Sequence, residues 1–247
     1  MQSELYTAAQ GLIGRQIQLD NITHNIANAN TTGFREVSSF FRSFNQALVD
    51  GPENPLNNAA NNQPVVAGIF YHSRQGPIKT TNNPLDMAIE GDGFFKVQTP
   101  NGVRFTRNGN FGMDNQGQLI TSNGYPVLNS NNQPMILNRA EEIYTKQDGT
   151  LLQDGNVVGK LNLVTFADKE QMTPEEDTLL VHRNPNAVEQ VGTGRILGGH
   201  LENSNINLAK QMVDMISMQR AYDANIRVVK TVDTNFNEMA IRGLGPR

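Results

Sequence analysis

The sequence predicts an α+β protein in which an all-β antiparallel domain is inserted into a discontinuous helical unit of coiled-coil type, formed by the N- and C-terminal helices. Three observations predict this fold. Apolar residues alternate in steps of three and four at both ends, Gly-containing turn dipeptides punctuate the middle, and an Asn- and Pro-rich stretch separates the first helix from the turns. The predicted segments are an N-terminal helix (1–33), a linker (34–84), the β domain (85–200) and a C-terminal helix (201–247).

The N-terminal helix is predicted from a heptad pattern of about four repeats, which is the spacing of a coiled-coil seam. Its apolar positions are Leu5, Ala8, Leu12, Leu19, Ile22, Ile26 and Ala29. Only Arg15 breaks the series. Ser3 and Glu4 favour the start of the helix, and Asn30-Thr31-Thr32-Gly33 favours its end.

The linker is rich in Asn, Pro and Ala, which is typical of extended or mobile connections. The spacing of Phe40, Phe41, Phe44 and Leu48 predicts a short helix inside it.

The segment from about Pro84 to His200 predicts many short strands. Strand-like alternation or composition occurs in Phe94–Thr99, Val103–Arg107, Gln118–Thr121 and Lys160–Phe166. Between such runs lie Asn101-Gly102, Asn108-Gly109, Asn123-Gly124, Asp148-Gly149 and Asp154-Gly155. Because these dipeptides favour tight hairpins, the pattern predicts antiparallel pairing.

The C-terminal helix, of about 38 residues, is predicted from the same three-four alternation. Its apolar positions are Leu208, Met212, Met215, Tyr222, Ile226, Val229, Phe236 and Ala240, with Gln219 and Asp233 as polar interruptions. Asn203-Ser204-Asn205 supplies N-cap candidates, and Gly243-Leu244-Gly245-Pro246 ends the run.

Two matched apolar seams are buried most simply when the two helices pack against each other. The C-terminal helix is the longer one, and Val213, Ile216 and Val232 widen its stripe, so we expect part of that stripe to stay exposed on a monomer. Exposed apolar surface of this kind usually marks an assembly interface. The alternative is that both helices pack on the β domain as ordinary core.

Composition and charge exclude several classes of protein. Leu, Ile, Val and Phe make up about a quarter of the chain, which is enough for a core and argues against disorder. A net charge of -4 without a basic run argues against a dedicated nucleic-acid binder. The chain has no Cys, so disulfides and thiolate chemistry are excluded. No secretory signal pattern or membrane-length apolar run occurs, so we expect neither a cleaved signal peptide nor membrane insertion.

No arrangement of residues predicts a catalytic, metal or cofactor site. The four histidines (His24, His72, His182 and His200) are far apart and have no partner at ligand spacing. Glu90 and Asp92 flank Gly91 and could act as paired carboxylates in acid–base chemistry, although a solvated turn is the simpler interpretation. The glycines of 192–199 lack the spacing and the following helix of a dinucleotide-binding loop.

Several motifs, in the same order along the chain, resemble those of the bacterial flagellar rod and hook proteins. They are Asn25–Phe34 (NIANANTTGF), Asn83–Phe95 (NPLDMAIEGDGFF), Thr106–Phe111 (TRNGNF), Thr121–Pro126 (TSNGYP), Leu201–Asn207 (LENSNIN), Met212–Ile216 (MVDMI) and Gln219–Tyr222 (QRAY). The resemblance covers most of the chain except the linker and roughly residues 140–195.

The resemblance implies a structural, non-enzymatic subunit of the flagellar basal-body rod, exported without a cleaved signal peptide through the flagellar export apparatus. Its partners would be itself, other rod proteins, and the rod cap and hook-side neighbours. Length and the opening Leu5-Tyr6-Thr7-Ala8 resemble the proximal-rod type, whereas Gln219-Arg220-Ala221-Tyr222 is commoner in the distal type. A secreted β-domain binding module with helical dimerisation arms is the alternative from another class, and an enzyme using Glu90 and Asp92 ranks behind it.

The predicted assembly interface combines the two seams with the turn after the first helix. It comprises Leu5, Leu12, Leu19, Ile22, Asn25, Ile26, Asn28, Asn30, Gly33, Phe34, Leu208, Met212, Met215, Ile216, Tyr222, Ile226, Val229 and Phe236. For Asn25, Asn28 and Asn30, two roles stay open: capping the helix C-terminus, and hydrogen bonding between subunits.

Overall fold

A computed structural model describes residues 2–43, 64–176 and 178–243 of the chain. Helix α1 spans Gln2–Ala27 and helix α2 spans Leu208–Gly243. Seventeen strands lie between them in the described residues, which confirms an α+β fold with a β-rich domain. The coiled-coil arrangement of the two helices stays a prediction. Within the described residues, neither helix contains an apolar stretch that could cross a membrane.

The strands are short, and a single 3-10 turn at Lys169–Gln171 interrupts their succession in the described part of the chain. Their bounds are β1 Val37–Ser43, β2 Pro64–Tyr71, β3 Ile78–Thr80, β4 Met87–Glu90, β5 Phe94–Thr99, β6 Gly102–Thr106, β7 Phe111–Met113, β8 Leu119–Thr121, β9 Ile143–Thr145, β10 Thr150–Gln153, β11 Asn156–Lys160, β12 Leu163–Thr165, β13 Met172–Pro174, β14 Leu179–His182, β15 Gln190–Val191, β16 Arg195–Gly198 and β17 His200–Glu202.

The chain divides into two compact units. The helical unit consists of Met1–Ile26, Val37–Ile69 and Asn207–Arg247. The β-rich unit consists of Ala27–Glu36 and Phe70–Ile206. The turn that follows α1 and the segment that precedes α2 therefore belong to the β-rich unit, although the sequence assigned both to the terminal helices.

A six-stranded sheet with the order β13-β14-β6-β5-β12-β15 is the largest sheet of the β-rich unit. A three-stranded sheet, β11-β10-β9, and the pairs β16-β4, β17-β3 and β7-β8 complete it, and β1 pairs with β2. Within the described strands, each pairing of known register is antiparallel. Antiparallel pairing therefore matches the prediction from the turn dipeptides.

Two of the predicted turns show how Gly sets the hairpins. Asp154 and Gly155 have φ of 47° and 82°, the two positive values that a tight β10–β11 hairpin requires. In the β5–β6 hairpin, Pro100 and Asn101 form the turn, and Gly102, with a φ of 104°, is the first residue of β6 and pairs with Thr99. Asn108-Gly109 differs, because β6 and β7 do not pair; a Cβ on Gly109 would lie 1.5 Å from the Met87 carbonyl oxygen, so close backbone contact requires glycine there.

The core of the β-rich unit lies on both faces of the central strands. Alternation along β5 sends Phe95 and Val97 into one cluster and Phe94 into the other. In the first cluster, Phe95 meets Phe111 edge to face with ring centroids 5.0 Å apart. Because both faces of β5 are covered, adjacent Phe94 and Phe95 are both buried although their side chains point in opposite directions.

Three local predictions are wrong. The predicted short helix fails because Phe40 and Phe41 lie in β1, where pairing with β2 prevails over a weak helical spacing; Phe44 and Leu48 lie outside the described residues. The described part of the predicted linker also contains strands β2 and β3. Helix α2 is capped by Asn207, whose Oδ1 accepts a hydrogen bond from the backbone N–H of Lys210 (3.1 Å), instead of by a residue of 203–205.

Candidate assembly site

Helix α1 presents its predicted apolar residues at intermediate exposure. Leu12, Leu19, Ile22 and Ile26 are half-buried, whereas the side chain of Leu5 lies outside the described part of the chain. Arg15, which interrupts the heptad, donates a hydrogen bond from its guanidinium to the thioether of Met218 on α2 (3.7 Å). The two terminal helices therefore contact each other within the helical unit.

Helix α2 divides its predicted apolar residues between two faces. Met215, Tyr222, Ile226 and Val229 are half-buried. Leu208, Met212 and Ile216 follow one another at four-residue steps and are exposed, as is the neighbouring Val213. Exposure reaches 65% for Val213 and 52% for Ile216, as the width of the apolar stripe predicts. The side chain of Phe236 lies outside the described residues.

Asn25 uses its side chain inside the chain in a role that the sequence did not indicate. Its Nδ2 donates to the Val37 carbonyl (2.8 Å), and its Oδ1 accepts from the Val37 backbone N–H (2.9 Å). The amide thus imitates a strand partner for the first residue of β1. Asn25 is buried, so this pairing satisfies a polar group that would otherwise be costly.

The turn that follows α1 combines buried and exposed residues. Asn28 is half-buried and accepts a hydrogen bond from Thr31 Oγ1 (3.1 Å), while Asn30 is exposed. Gly33 has a φ of 69°, and a Cβ there would lie 2.3 Å from the Asn108 backbone nitrogen, so only glycine fits. Phe34 is buried in the β-rich unit.

Three charged residues from distant parts of the sequence meet in the interior of the β-rich unit. Glu202 accepts from Arg35 (2.9 Å) and from Arg107 (3.2 Å), and all three side chains are buried. The carboxylate of Glu202 also accepts from the Gly76 backbone N–H (2.9 Å), and its carbonyl accepts from the Gly33 N–H (2.7 Å). This buried triad fixes the segments through which the chain enters and leaves the β-rich unit.

Both arginines of the triad also donate guanidinium hydrogens to backbone carbonyls. Arg107 donates to Gly91 (2.7 Å) and stacks over the Phe94 ring at 5.3 Å, while Arg35 donates to Ser73 (2.8 Å) and to Arg74. The Nε atoms of both arginines have no hydrogen-bond partner among the described residues. Most of the polar atoms of the triad, but not all of them, therefore have a hydrogen-bond partner.

Burial governs the ionisation of this interior cluster. It lowers the pKa of Arg35 to about 10, although the charge of Glu202 opposes that shift. It lowers the pKa of Arg107 for the same reason. Burial also raises the pKa of the neighbouring Tyr71 to about 12, against the opposing charges of both arginines. Both arginines stay charged and Tyr71 stays neutral near pH 7.

Sequence reasoning missed the triad, because each member lies in a different motif and the contact depends on the fold. One signal was available. Arg107 and Glu202 are charged residues inside motifs made otherwise of amides, hydroxyls and apolar residues, and Arg35 follows such a motif directly. A charged residue inside an otherwise uncharged motif indicates an ion pair, but only the structure identifies its partner.

Comparison with known proteins identifies the family to which this chain belongs. Three family models match the chain: flagella basal body rod protein over residues 5–35, flagellar hook protein FlgE/F/G D1 domain over 88–158, and flagellar basal body rod FlgEFG protein C-terminal over 197–242. The flagellar basal-body rod protein FlgG of Borreliella burgdorferi is 32% identical over 94% of this chain and 96% of its own length. The chain belongs to the flagellar basal-body rod protein family.

Relatives called FlgF match the chain equally well. Flagellar basal-body rod protein FlgF of Mesorhizobium japonicum is 31% identical over the full length of both chains. FlgF of Rhizobium meliloti is 32% identical over 99% of each. The protein is therefore a structural subunit of the bacterial flagellar basal-body rod, as the motifs indicated, and not an enzyme.

The paired carboxylates fit this structural character. Glu90 forms an exposed ion pair with Arg195 (2.8 Å), and Asp92 forms one with Lys169 (2.8 Å). The hydrogen bond from Lys169 lowers the pKa of Asp92, although partial burial opposes this shift. General acid catalysis near pH 7 needs a raised carboxyl pKa, so Asp92 is tuned in the opposite direction. Among the described residues, no group of three acidic or His side chains could hold a metal ion.

Proposed function

We propose that this rod subunit polymerises through α1 and α2, with copies of itself and with other rod and hook proteins, into a tubular shaft that transmits torque to the hook. The exposed apolar face of α2 carries this proposal. It consists of Leu208, Met212, Val213 and Ile216, with Val228 exposed further along the helix. An apolar helix face of this extent in water is typical of a protein interaction surface.

Burial of this face in an assembly would supply much of the driving force. Covering one large aliphatic side chain completely is worth about 1.5–3 kcal/mol, and the face repeats in every subunit. A contact between two different surfaces of the same chain generates a helical filament when the rotation between subunits does not close a ring. The coiled-coil packing of the half-buried seam residues of α1 and α2 is part of this proposal.

The residues of the predicted interface take two different parts in this proposal. The seam residues of α1 and α2 contact neighbouring subunits. Asn25, Gly33 and Phe34 are buried within the chain and act indirectly, because they fix the turn after α1. The exposed Asn30 is the member of that turn best placed for contact with another subunit.

We assign the subunit to the proximal rod, with the distal rod as the alternative. The FlgF alignments cover 99–100% of this chain within 248–250 positions, whereas the FlgG alignment of Borreliella burgdorferi needs 260 positions for 94%. The alignment with the FlgF type thus requires fewer gaps, and in this proposal the FlgF type is the proximal one. The position of a labelled subunit in intact basal bodies tests the assignment, and a label next to the hook would assign it to the distal rod.

The proposal extends to the route and the neighbours of the subunit. It passes the flagellar export apparatus without a cleaved signal peptide, and it contacts the rod cap and hook-side neighbours during growth. Membership of the rod family supports this extension. Retention in the cytoplasm of a strain that lacks a working flagellar export apparatus is the expected result, measured by fractionation.

A paired substitution on α2 tests assembly directly. Val213→Asn together with Ile216→Asn removes two exposed apolar side chains, so we expect an unchanged far-ultraviolet circular dichroism spectrum but loss of swimming and of assembled rods. Val188 on the β-rich unit is 79% exposed, and Val188→Asn is the matched control that should swim normally. Normal motility of the α2 variant would refute the proposal.

A further inference from the structure

An open cleft lies on the surface of the β-rich unit, outside its hydrophobic core and outside both helices. Its volume is ≈ 390 Å³, in the range of binding sites. Three turns form it: Asn28–Thr32 after α1, Asn108–Asn110 after β6, and Thr121–Tyr125 after β8. Thr178 and Leu179 complete its wall.

Hydrogen bonds between the turns hold the walls in place. Thr32 Oγ1 donates to Asn108 Oδ1 (2.8 Å), which joins the first turn to the second. Thr106 Oγ1, at the end of β6, donates to the carbonyl of Thr178 (3.0 Å) and accepts from the backbone N–H of Asn108 (3.0 Å), so it links the second turn to the far wall. The cleft is therefore formed before anything binds, so an occupant does not have to order it.

The side chains that line the cleft are chemically similar to one another. No described side chain that lines the cleft is charged; amides and hydroxyls predominate. The side chains of Asn30, Asn110 and Ser122 are exposed and make no hydrogen bond within the described residues. An amide side chain both donates and accepts, so these groups can pair with another uncharged polar surface. A charged occupant would lose water without gaining a counter-charge.

We propose that this cleft receives an uncharged polar segment of a neighbouring copy of the chain in the assembled rod, an inference that rests on the proposed function. All three turns lie inside the segments matched by the rod and hook family models, 5–35 and 88–158. Depletion of charge is also the mark of the central part of a protein–protein interface. A peptide segment suits the cleft better than a saccharide, because Tyr125 alone among the lining residues offers an aromatic face for a sugar ring.

Photo-crosslinking in the full chain tests the proposal. The photoreactive amino acid p-benzoylphenylalanine replaces Asn110 in the cleft, Asn131 as an exposed asparagine outside it, or Met212 on α2. We expect irradiated basal bodies to contain a product of doubled mass, identified by mass spectrometry as two copies of this chain, from positions 110 and 212 but not from position 131.

The remaining outcomes separate the two proposals. A crosslinked dimer from position 212 without one from position 110 would overturn the cleft proposal and leave assembly through α2 intact. Absence of both products would overturn both. A saccharide adduct at position 110 would replace the neighbouring copy by a glycan as the occupant. As a second measurement, Asn110→Ala should weaken association between subunits about five-fold, the loss of one hydrogen bond, while Asn131→Ala should leave it unchanged.

Discussion

Glu202 is the single residue on which the interior of the β-rich unit depends most. Its carboxylate neutralises one of two buried guanidinium charges and accepts from a backbone N–H as well. Glu202→Gln keeps the shape but removes the charge, so it leaves Arg35 and Arg107 buried without a counter-ion. We expect a loss of about 3–5 kcal/mol in the free energy of unfolding, measured by urea denaturation.

The matched control for this substitution is Glu90→Gln. Glu90 also pairs with an arginine, Arg195, but both side chains are about half exposed. An exposed ion pair contributes at most about 1 kcal/mol, so this variant should unfold close to the parent protein. Equal losses in the free energy of unfolding for the two substitutions would show that the buried triad stabilises the protein no more than an exposed ion pair does.

Tyr71 offers a spectroscopic view of the same interior. Burial raises its pKa to about 12, and its hydroxyl has no hydrogen-bond partner among the described residues. The folded pKa lies above the usual value near 10, so its contribution to stability is complete below pH 10 and is lost as the pH approaches 12. In an absorbance titration of phenolate, Tyr71→Phe should therefore remove only the component near pH 12. Loss of a component near pH 10 would contradict this assignment.

At the level of elements, the residue that caps the start of α2 differs from the one that the sequence predicted. Asn203-Ser204-Asn205 looked like a cap, but Asn207 Oδ1 binds the Lys210 N–H. We expect Asn207→Ala to cost about 1 kcal/mol and to lower the melting temperature followed by circular dichroism at 222 nm. Asn203→Ala is the control. An equal cost for both variants would mean that the helix begins earlier.

The elements that the sequence predicted are those set by local chemistry. Periodicity predicted both helices, and the Asn-Gly and Asp-Gly dipeptides predicted hairpins such as β10–β11, because these signals act over a few residues. Pairing between distant segments could not be predicted from the sequence. For example, β1 lies where a short helix was expected, and the Asn25 side chain imitates a strand partner for Val37. The triad and the cleft were missed for the same reason, since each needs three segments brought together by the fold.

For the whole molecule, the boundary of the β-rich unit is the most consequential difference from the prediction. A fragment of residues 27–206 keeps Arg35 and Glu202, whereas 37–200 loses both and leaves Arg107 buried alone. We expect the longer fragment to unfold cooperatively and the shorter one to unfold at a clearly lower urea concentration. Arg107→Met in the shorter fragment should recover part of the loss, because it removes the unpaired buried charge. Equal urea midpoints for the two fragments would show that the entry and exit segments are dispensable for the β-rich unit.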